Sequence, residues 1–422
     1  MAHLTPYAVM RERSSYITEL LDNNEEVVDI ISNQSSLCDE IFGSISLIDI
    51  LGTGEFSHVL GGRLEDKKDL IAIKIPHDRL EITSVEVNEI KETLGSFASR
   101  NSEFNERLII KLNGGNPNRI VKRGEKLKFP IFARRCLTKE NISLKTFKIP
   151  KGSYLCRNTI YSEFLIGLLC SVLATTRSIN FMDIMDLSMC SGPEENTDLL
   201  NATYLFQEKM INSLQHGSIK IDDSILIQVF HAIACYQENY AISHNDLHTG
   251  NVFYTTNTFS EETTHVSLVL DDITLYIPKP EYIIKIGDFG HSCKYSDPMI
   301  FNYKVVNSGY PNIPVNYSEF YDLGTFIMTT LFSDPFPLLF KCISYILIHD
   351  TYLGSESEYR TFFIDEYHQL NKYFISSTGR PRLHMLNELP FSGMNAYKLL
   401  RSSVFDKFRN KPIGIIEEAA TI

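Results

Sequence analysis

His244-Asn245-Asp246-Leu247-His248-Thr249-Gly250-Asn251 is the stretch on which the reading of this chain turns. It follows a run with helical spacing, Ser224 to Ala241, and so reads as a loop leaving a helix. A carboxylate and an amide five residues apart on one loop can serve different oxygens. Asp246 can accept the proton of a hydroxyl, and the amide oxygen of Asn251 can coordinate a divalent cation. Downstream, Lys285-Ile286-Gly287-Asp288-Phe289-Gly290 is an apolar strand ending in an acid between glycines. Such an acid either binds Mg2+ that bridges phosphates or simply forms a turn.

Working outward, Leu51-Gly52-Thr53-Gly54-Glu55-Phe56-Ser57-His58-Val59 reads as a glycine-bearing hairpin turn. Ala72-Ile73-Lys74 follows on the next strand. Two glycines two apart let backbone amides approach a phosphate with no side chain in the way, and a strand lysine can reach the same oxygens. Taken singly, each of these is as well explained by an ordinary turn and a solvent-facing lysine. Strand-like texture prevails up to about residue 210, and helical spacing prevails after it. The helical runs are Thr159 to Ala174, Ser224 to Ala241, Ser318 to Phe332 and Pro337 to His349.

In this order the glycine hairpin, the strand lysine, His-x-Asp-x-x-x-x-Asn and Asp-Phe-Gly resemble the protein-kinase superfamily across roughly residues 46 to 410. The resemblance implies an α+β, bilobal fold with a β-rich N-lobe and a helical C-lobe. It implies an extension at 1–45, an N-lobe at 46–208, a C-lobe at 209–412 and a tail at 413–422. It also implies ATP and Mg2+. Leu51, Gly52, Thr53, Gly54, Glu55, Phe56, Ser57, His58 and Val59 would cover the nucleotide, and Ala72 would line the adenine. Lys74 would hold the α- and β-phosphates, Asp246 would be the catalytic base, and Asn251 and Asp288 would be the metal ligands. Tyr204 to Met210 would lead into the hinge, with Gln207 at the gatekeeper position and Glu208 and Met210 offering backbone groups to adenine.

Several positions depart from the family pattern. The acidic partner of Lys74 is expected to be Glu163, the one acid in the apolar run Thr159 to Ala174, with Glu89 as the alternative. That choice makes residues 77 to 157 an insertion. Asn245 replaces the arginine that usually answers an activation-loop phosphate, which argues against activation by loop phosphorylation although Ser292, Tyr295 and Ser308 are available. His248 stands where a lysine is usual, as in small-molecule phosphotransferases of the aminoglycoside and choline type, or is a plain loop histidine. The Ala-Pro-Glu close is missing. Tyr321-Asp322-Leu323 opens the next helix, where Asp322, or Glu319 in another register, either braces the catalytic loop or merely starts a helix. These features resemble divergent serine/threonine kinases of large cytoplasmic DNA viruses.

Composition bounds the remaining possibilities. The chain has 422 residues, 43% hydrophobic and 22% charged, which excludes wholesale disorder and disulfide-dense miniatures. A net charge of -12 argues against a general nucleic-acid coat. Against that balance, residues 106 to 151 hold 13 basic and 3 acidic residues, a local +10 that leaves -22 for the rest. This basic stretch is either a solvated face, a dock for an acidic partner, or a small satellite core with Phe129, Phe132 and Phe147. The eight cysteines are scattered without a Cys-x-x-Cys pair, so reduced thiols are expected. No apolar run reaches 18 residues, and a cytoplasmic protein (in a host cell or a virion if the viral likeness holds) is expected. Three functions are carried forward: a kinase moving the ATP γ-phosphoryl group to protein serine or threonine, a small-molecule phosphotransferase, and a kinase-fold binding module.

Overall fold

The computed structural model describes residues 27–30, 45–53, 57–64, 70–76, 80–87, 92–100, 109–110, 112–132, 147–150, 159–189, 203–295, 313–314, 316–333, 336–349 and 394–419. Strands and helices are mixed throughout, in two compact units. The first gathers the described residues of Val27–Ile149 and Ile184–Lys209; the second gathers those of Pro150–Asp183 and Met210–Ile422.

The first unit is built on a five-stranded antiparallel sheet. Its strands run, edge to edge, Ile184–Met189, Thr203–Glu208, Leu70–Pro76, Ser57–Leu64 and Ile45–Thr53. The pleat alternates side chains between faces, so Ile71, Ile73 and Ile75 bury one face completely while Ala72 and Lys74 belong to the other. Register extends that second face sideways. Ala72 lies opposite Gly61 and Gln207, and Lys74 lies opposite Val59 and Leu205.

In the same unit, the described residues between 80 and 132, which include part of the basic segment, form a small body with its own core. Strands Leu80–Glu86 and Lys126–Phe132 pair antiparallel, and helix α1 (Leu94–Arg100) packs next to them. Val87, Leu94, Phe97, Ala98, Ile109, Val121 and Leu127 make its core. The side chains of Phe129, Phe132 and Phe147, expected to supply such a core, lie outside the described ones. Lys122, Arg123, Lys126 and Lys128 are exposed. Arg119 pairs with Glu125 at 2.5 Å, and that hydrogen bond, with the Lys122 amide, holds the Glu125 carboxyl below its ordinary pKa.

The second unit is organised by two apolar helices, α2 (Thr159–Thr176) and α3 (Asp223–Tyr240). In α2, residues 163 to 171 are all buried, the signature of a helix surrounded by protein rather than one with a wet face. In α3, Asp222 caps the N-terminus by accepting from the Ile225 amide at 2.9 Å, and Ala241 ends it in the left-handed region with φ 50°. Among the described residues, helices α4 (Tyr321–Ser333), α5 (Pro337–His349) and α6 (Ala396–Arg401) also belong to this unit.

After residue 210 the described residues carry the expected helices and, beside them, a substantial strand content. Val252–Thr256 pairs with Tyr282–Ile286, and His265–Leu270 with Ile273–Pro278; Ile416–Glu418 adds a parallel strand to the latter pair. Alternating β-branched and polar residues in His265-Val266-Ser267-Leu268-Val269 favour strand over helix locally. Within Ser178 to Phe181 there is a single parallel bridge, between Phe181 and Ile286. Asn180 fixes it by donating to Gln228 Oε1 at 2.9 Å and to the Ile284 carbonyl at 2.8 Å.

Among the described residues no helix is long and apolar enough to cross a membrane. Cys170, Cys235, Cys293 and Cys342 are buried free thiols, and burial pushes the Cys235 thiol up to about 12.

Candidate active site

The loop from His244 to Asn251 is held from below by one carboxylate. Asp322, in the first turn of α4, is fully buried and accepts from the amides of His244 at 2.7 Å and Asn245 at 2.9 Å. It also accepts from the Tyr236 hydroxyl at 2.8 Å. Burial raises the Asp322 pKa, and the His244 ring and the three hydrogen bonds oppose that rise. Asp322 therefore braces the loop, and Glu319 does not: the Glu319 carboxylate instead accepts from Asn395 Nδ2 at 2.7 Å. His244 Nε2 lies 3.0 Å from the Gly287 carbonyl. A carbonyl only accepts, so Nε2 carries the proton and the ring ties the loop to the strand that ends before Asp288.

On this base Asp246 keeps a side chain that is 39% exposed. Asn251 Nδ2 donates to the Asp246 carbonyl at 2.9 Å and to Asp246 Oδ2 at 3.1 Å. His248 Nε2 lies 3.7 Å and His291 Nδ1 3.5 Å from the same Oδ2. Three nitrogens thus surround one oxygen of the carboxylate. Oδ1 has no such neighbour among the described residues, which leaves it as the oxygen that can take a hydroxyl proton. His248 Nδ1 accepts from the Gly250 amide at 2.9 Å, so in the neutral ring Nε2 carries the proton facing Asp246. Burial works against charging His248, but the hydrogen bond and charge of Asp246, joined by the charge of Asp288, raise its pKa above the usual histidine value. An added Cβ at Gly250 would come within 2.5 Å of both His248 Cε1 and Gln215 Oε1, so a larger residue there would displace the His248 ring or Gln215.

Asp288 follows directly, with φ 58° and ψ 63°. Asn245 also sits in the left-handed region, with φ 63°. Aspartate and asparagine tolerate that conformation better than most residues, and such strain gathers where a site dictates backbone direction. The Gly287 amide donates to the Asn251 carbonyl at 3.2 Å, joining the two motifs. Because Asn251 commits Nδ2 to Asp246, its Oδ1 is the atom left to offer a cation. A hard amide oxygen and a carboxylate suit Mg2+, which takes few protein oxygens and completes its shell with water and phosphate. Among the described residues, no group of three or more His, Cys, Asp or Glu is placed to hold a metal.

The segment after Asp288 folds back onto the loop. The Ser292 hydroxyl donates to the His244 carbonyl at 3.2 Å, and Cys293–Lys294 pairs with Ile242–Ser243. Asn245 Nδ2 donates to the His291 carbonyl at 3.1 Å, and Tyr295 OH lies 3.4 Å from Asn245 Oδ1 and donates to the Pro314 carbonyl at 2.7 Å. Ser308 lies outside the described residues. Glu163 is buried in α2, which packs on the turn Phe289–His291.

The residues expected to contact nucleotide from the first unit fall on its sheet. Gly52 pairs with Val59, and the irregularity between Ile50 and Gly52 leaves Leu51 unpaired, its side chain lying over Gly61. Val59, Ala72, Lys74 and Gln207 share one face, and Lys74 is half-buried there. Ser57 and His58 are buried; Glu208 ends its strand, half-buried, and Met210 is buried in the second unit. Gly54, Glu55, Phe56 and Glu89 lie outside the described residues, as does the side chain of Thr53.

Sequence reasoning missed His291 and Tyr236, and took Tyr295 only as an available phosphorylation site. None belongs to a spaced motif, and each acquires its partner through folding: Tyr236 and Asp322 are 86 residues apart.

No protein-family model matches the sequence, and no curated protein matches it. Among solved structures, the chain is similar to the crystal structure of a Plasmodium kinase domain at 16% identity and a TM-score of 0.29. That match covers 64% of this chain and 57% of the other.

Proposed function

We propose that the chain is a protein kinase that transfers the γ-phosphoryl group of Mg-ATP to serine or threonine hydroxyls. The observation that carries this reading is the state of Asp246: half-exposed, pinned through Oδ2, and set on a loop braced by the buried Asp322. A base held in one orientation, with one oxygen open, suits a reaction that asks mainly for alignment. Asp246 would orient the acceptor hydroxyl and take its proton as the oxygen bonds to the γ-phosphorus and the bond from that phosphorus to the bridging oxygen breaks, releasing ADP. Asn251 and Asp288 would hold Mg2+, which when bound neutralises charge on the phosphates. Lys74 would hold the α- and β-phosphates, with Leu51, Val59, Ala72, Glu208 and Met210 serving adenine. Glu163, the buried acid of α2, remains the proposed partner of Lys74.

The protein acceptor, the likeness to kinases of large cytoplasmic DNA viruses, a cytoplasmic location and docking of an acidic partner on the basic segment belong to the same proposal. A second reading, transfer to a small alcohol or sugar, is favoured by the tight His248–Gly250 turn, whose wording matches small-molecule phosphotransferases. Incubation with labelled ATP, Mg2+ and either casein or a panel of small alcohols separates the two. Label on protein, lost by about 10³-fold in Asp246→Asn, supports the kinase. Label on a small alcohol alone supports the second reading, and no transfer to anything overturns both.

A further inference from the structure

The turn after Asp288 carries a residue for which the proposed reaction has so far found no use. His291 is tied to the catalytic loop twice, once through its backbone and once through its ring. Its carbonyl accepts from Asn245 Nδ2 at 3.1 Å, and its ring places Nδ1 3.5 Å from Asp246 Oδ2. The backbone tie restricts where the ring can go, because Asn245 is itself locked by Asp322 through its amide. With its side chain 18% exposed, His291 is drier than the carboxylate it approaches, at 39%. Charge and hydrogen bonding act more strongly where water is thin.

From this geometry we infer that His291 is a positioning residue for Asp246: its ring, together with His248 and Asn251, fixes Oδ2 so that Oδ1 faces the acceptor hydroxyl. The inference rests on the phosphotransferase reading above and deepens it. His291 touches neither nucleotide nor acceptor in this scheme; it acts only through Asp246. A carboxylate held by Asn251 alone can rotate about its last bond, because one donor fixes an oxygen but not the plane. The second and third nitrogens remove that freedom. Misdirecting a base within an aligned site lowers turnover far more than binding. Asn245, which replaces the usual arginine, is what gives His291 its backbone anchor.

The test compares the full chain with His291→Ala and His291→Asn under the labelled-ATP assay, with unfolding temperatures measured alongside. Expected for His291→Ala is a fall in kcat of about tenfold to a hundredfold, with the KM for ATP and the unfolding temperature within error of the parent. His291→Asn, which keeps a donor at similar reach, should recover most of the lost rate. In the nucleotide-free protein, the ring nitrogen signals of His291 should shift on Asp246→Asn. An unchanged kcat in His291→Ala, or a loss that tracks the unfolding temperature and is not recovered by asparagine, overturns the positioning role while the parent's activity keeps the kinase reading. Ring signals indifferent to Asp246→Asn overturn the contact itself. A parent chain that transfers no phosphoryl group removes the broader reading and this role with it.

Discussion

Asp322 Oδ1 and Oδ2 reach back across more than seventy residues to receive the amides of Asn245 and His244, at 2.9 and 2.7 Å, from a carboxylate that no water touches. Asp322→Ala would strand both amides and the Tyr236 hydroxyl in a dry interior. Each unmet buried donor costs roughly 1–3 kcal/mol, so a loss of about 3 kcal/mol in unfolding free energy is expected. Urea denaturation measures it, and phosphoryl transfer should fall further than stability alone accounts for because the loop loses its anchor.

Asp288 should matter to the cation rather than to the fold. Its side chain is half-buried in a turn with φ 58°, and Asp288→Asn removes the carboxylate charge while keeping a side chain that tolerates the left-handed backbone. For the parent chain, Mg-ATP at a hundredfold excess over its Kd should add roughly 2.7 kcal/mol of stability. In the variant the Mg2+-dependent part of that gain should vanish, as read by thermal shift with and without the metal.

Tyr295 ties the turn after Asp288 both to the loop at Asn245 and to Pro314. Its hydroxyl donates to the Pro314 carbonyl at 2.7 Å and lies 3.4 Å from Asn245 Oδ1, a tie made without any phosphate. Phosphatase treatment should therefore leave the transfer rate unchanged. Tyr295→Phe should lower it severalfold, since the Pro314 carbonyl loses its donor; equal rates for parent and variant would disprove this role.

His231 predicts acid sensitivity. Fully buried between Ser178 Oγ and the Val269 carbonyl, it has a pKa lowered by burial from 6.5 to about 4. Below pH 6.5 the unfolded chain takes up a proton that the folded chain refuses, so stability falls as pH drops from about 6.5 towards 4. The loss at the acid end is at most roughly 3 kcal/mol. His231→Gln should flatten that slope while weakening the protein at pH 7, which denaturation at pH 7 and pH 5 will show.

Much of this was legible in the sequence because it depends on local chemistry. The apolar runs of α2 and α3 gave their positions within two or three residues, since a buried helix must be apolar along its length. The loop carrying Asp246 and the strand ending before Asp288 were legible for a similar reason: a glycine or an asparagine marks a backbone that must turn sharply. The strand content of the second unit was less visible. Short strands such as His265–Leu270 and Ile273–Pro278 declare themselves only when a neighbour completes their hydrogen bonds.

The amino-acid order alone determined which residues can carry chemistry, because a carboxylate, an amide and a lysine keep their reactivity wherever they are placed. Folding decided how they are aimed. Whether Asp322 or Glu319 braces the loop, which oxygen of Asp246 stays open, and that His291 stands beside it all depend on contacts between distant segments. Such contacts cannot be read from spacing. They form only when burial of the intervening apolar residues offsets the entropy of bringing those segments together.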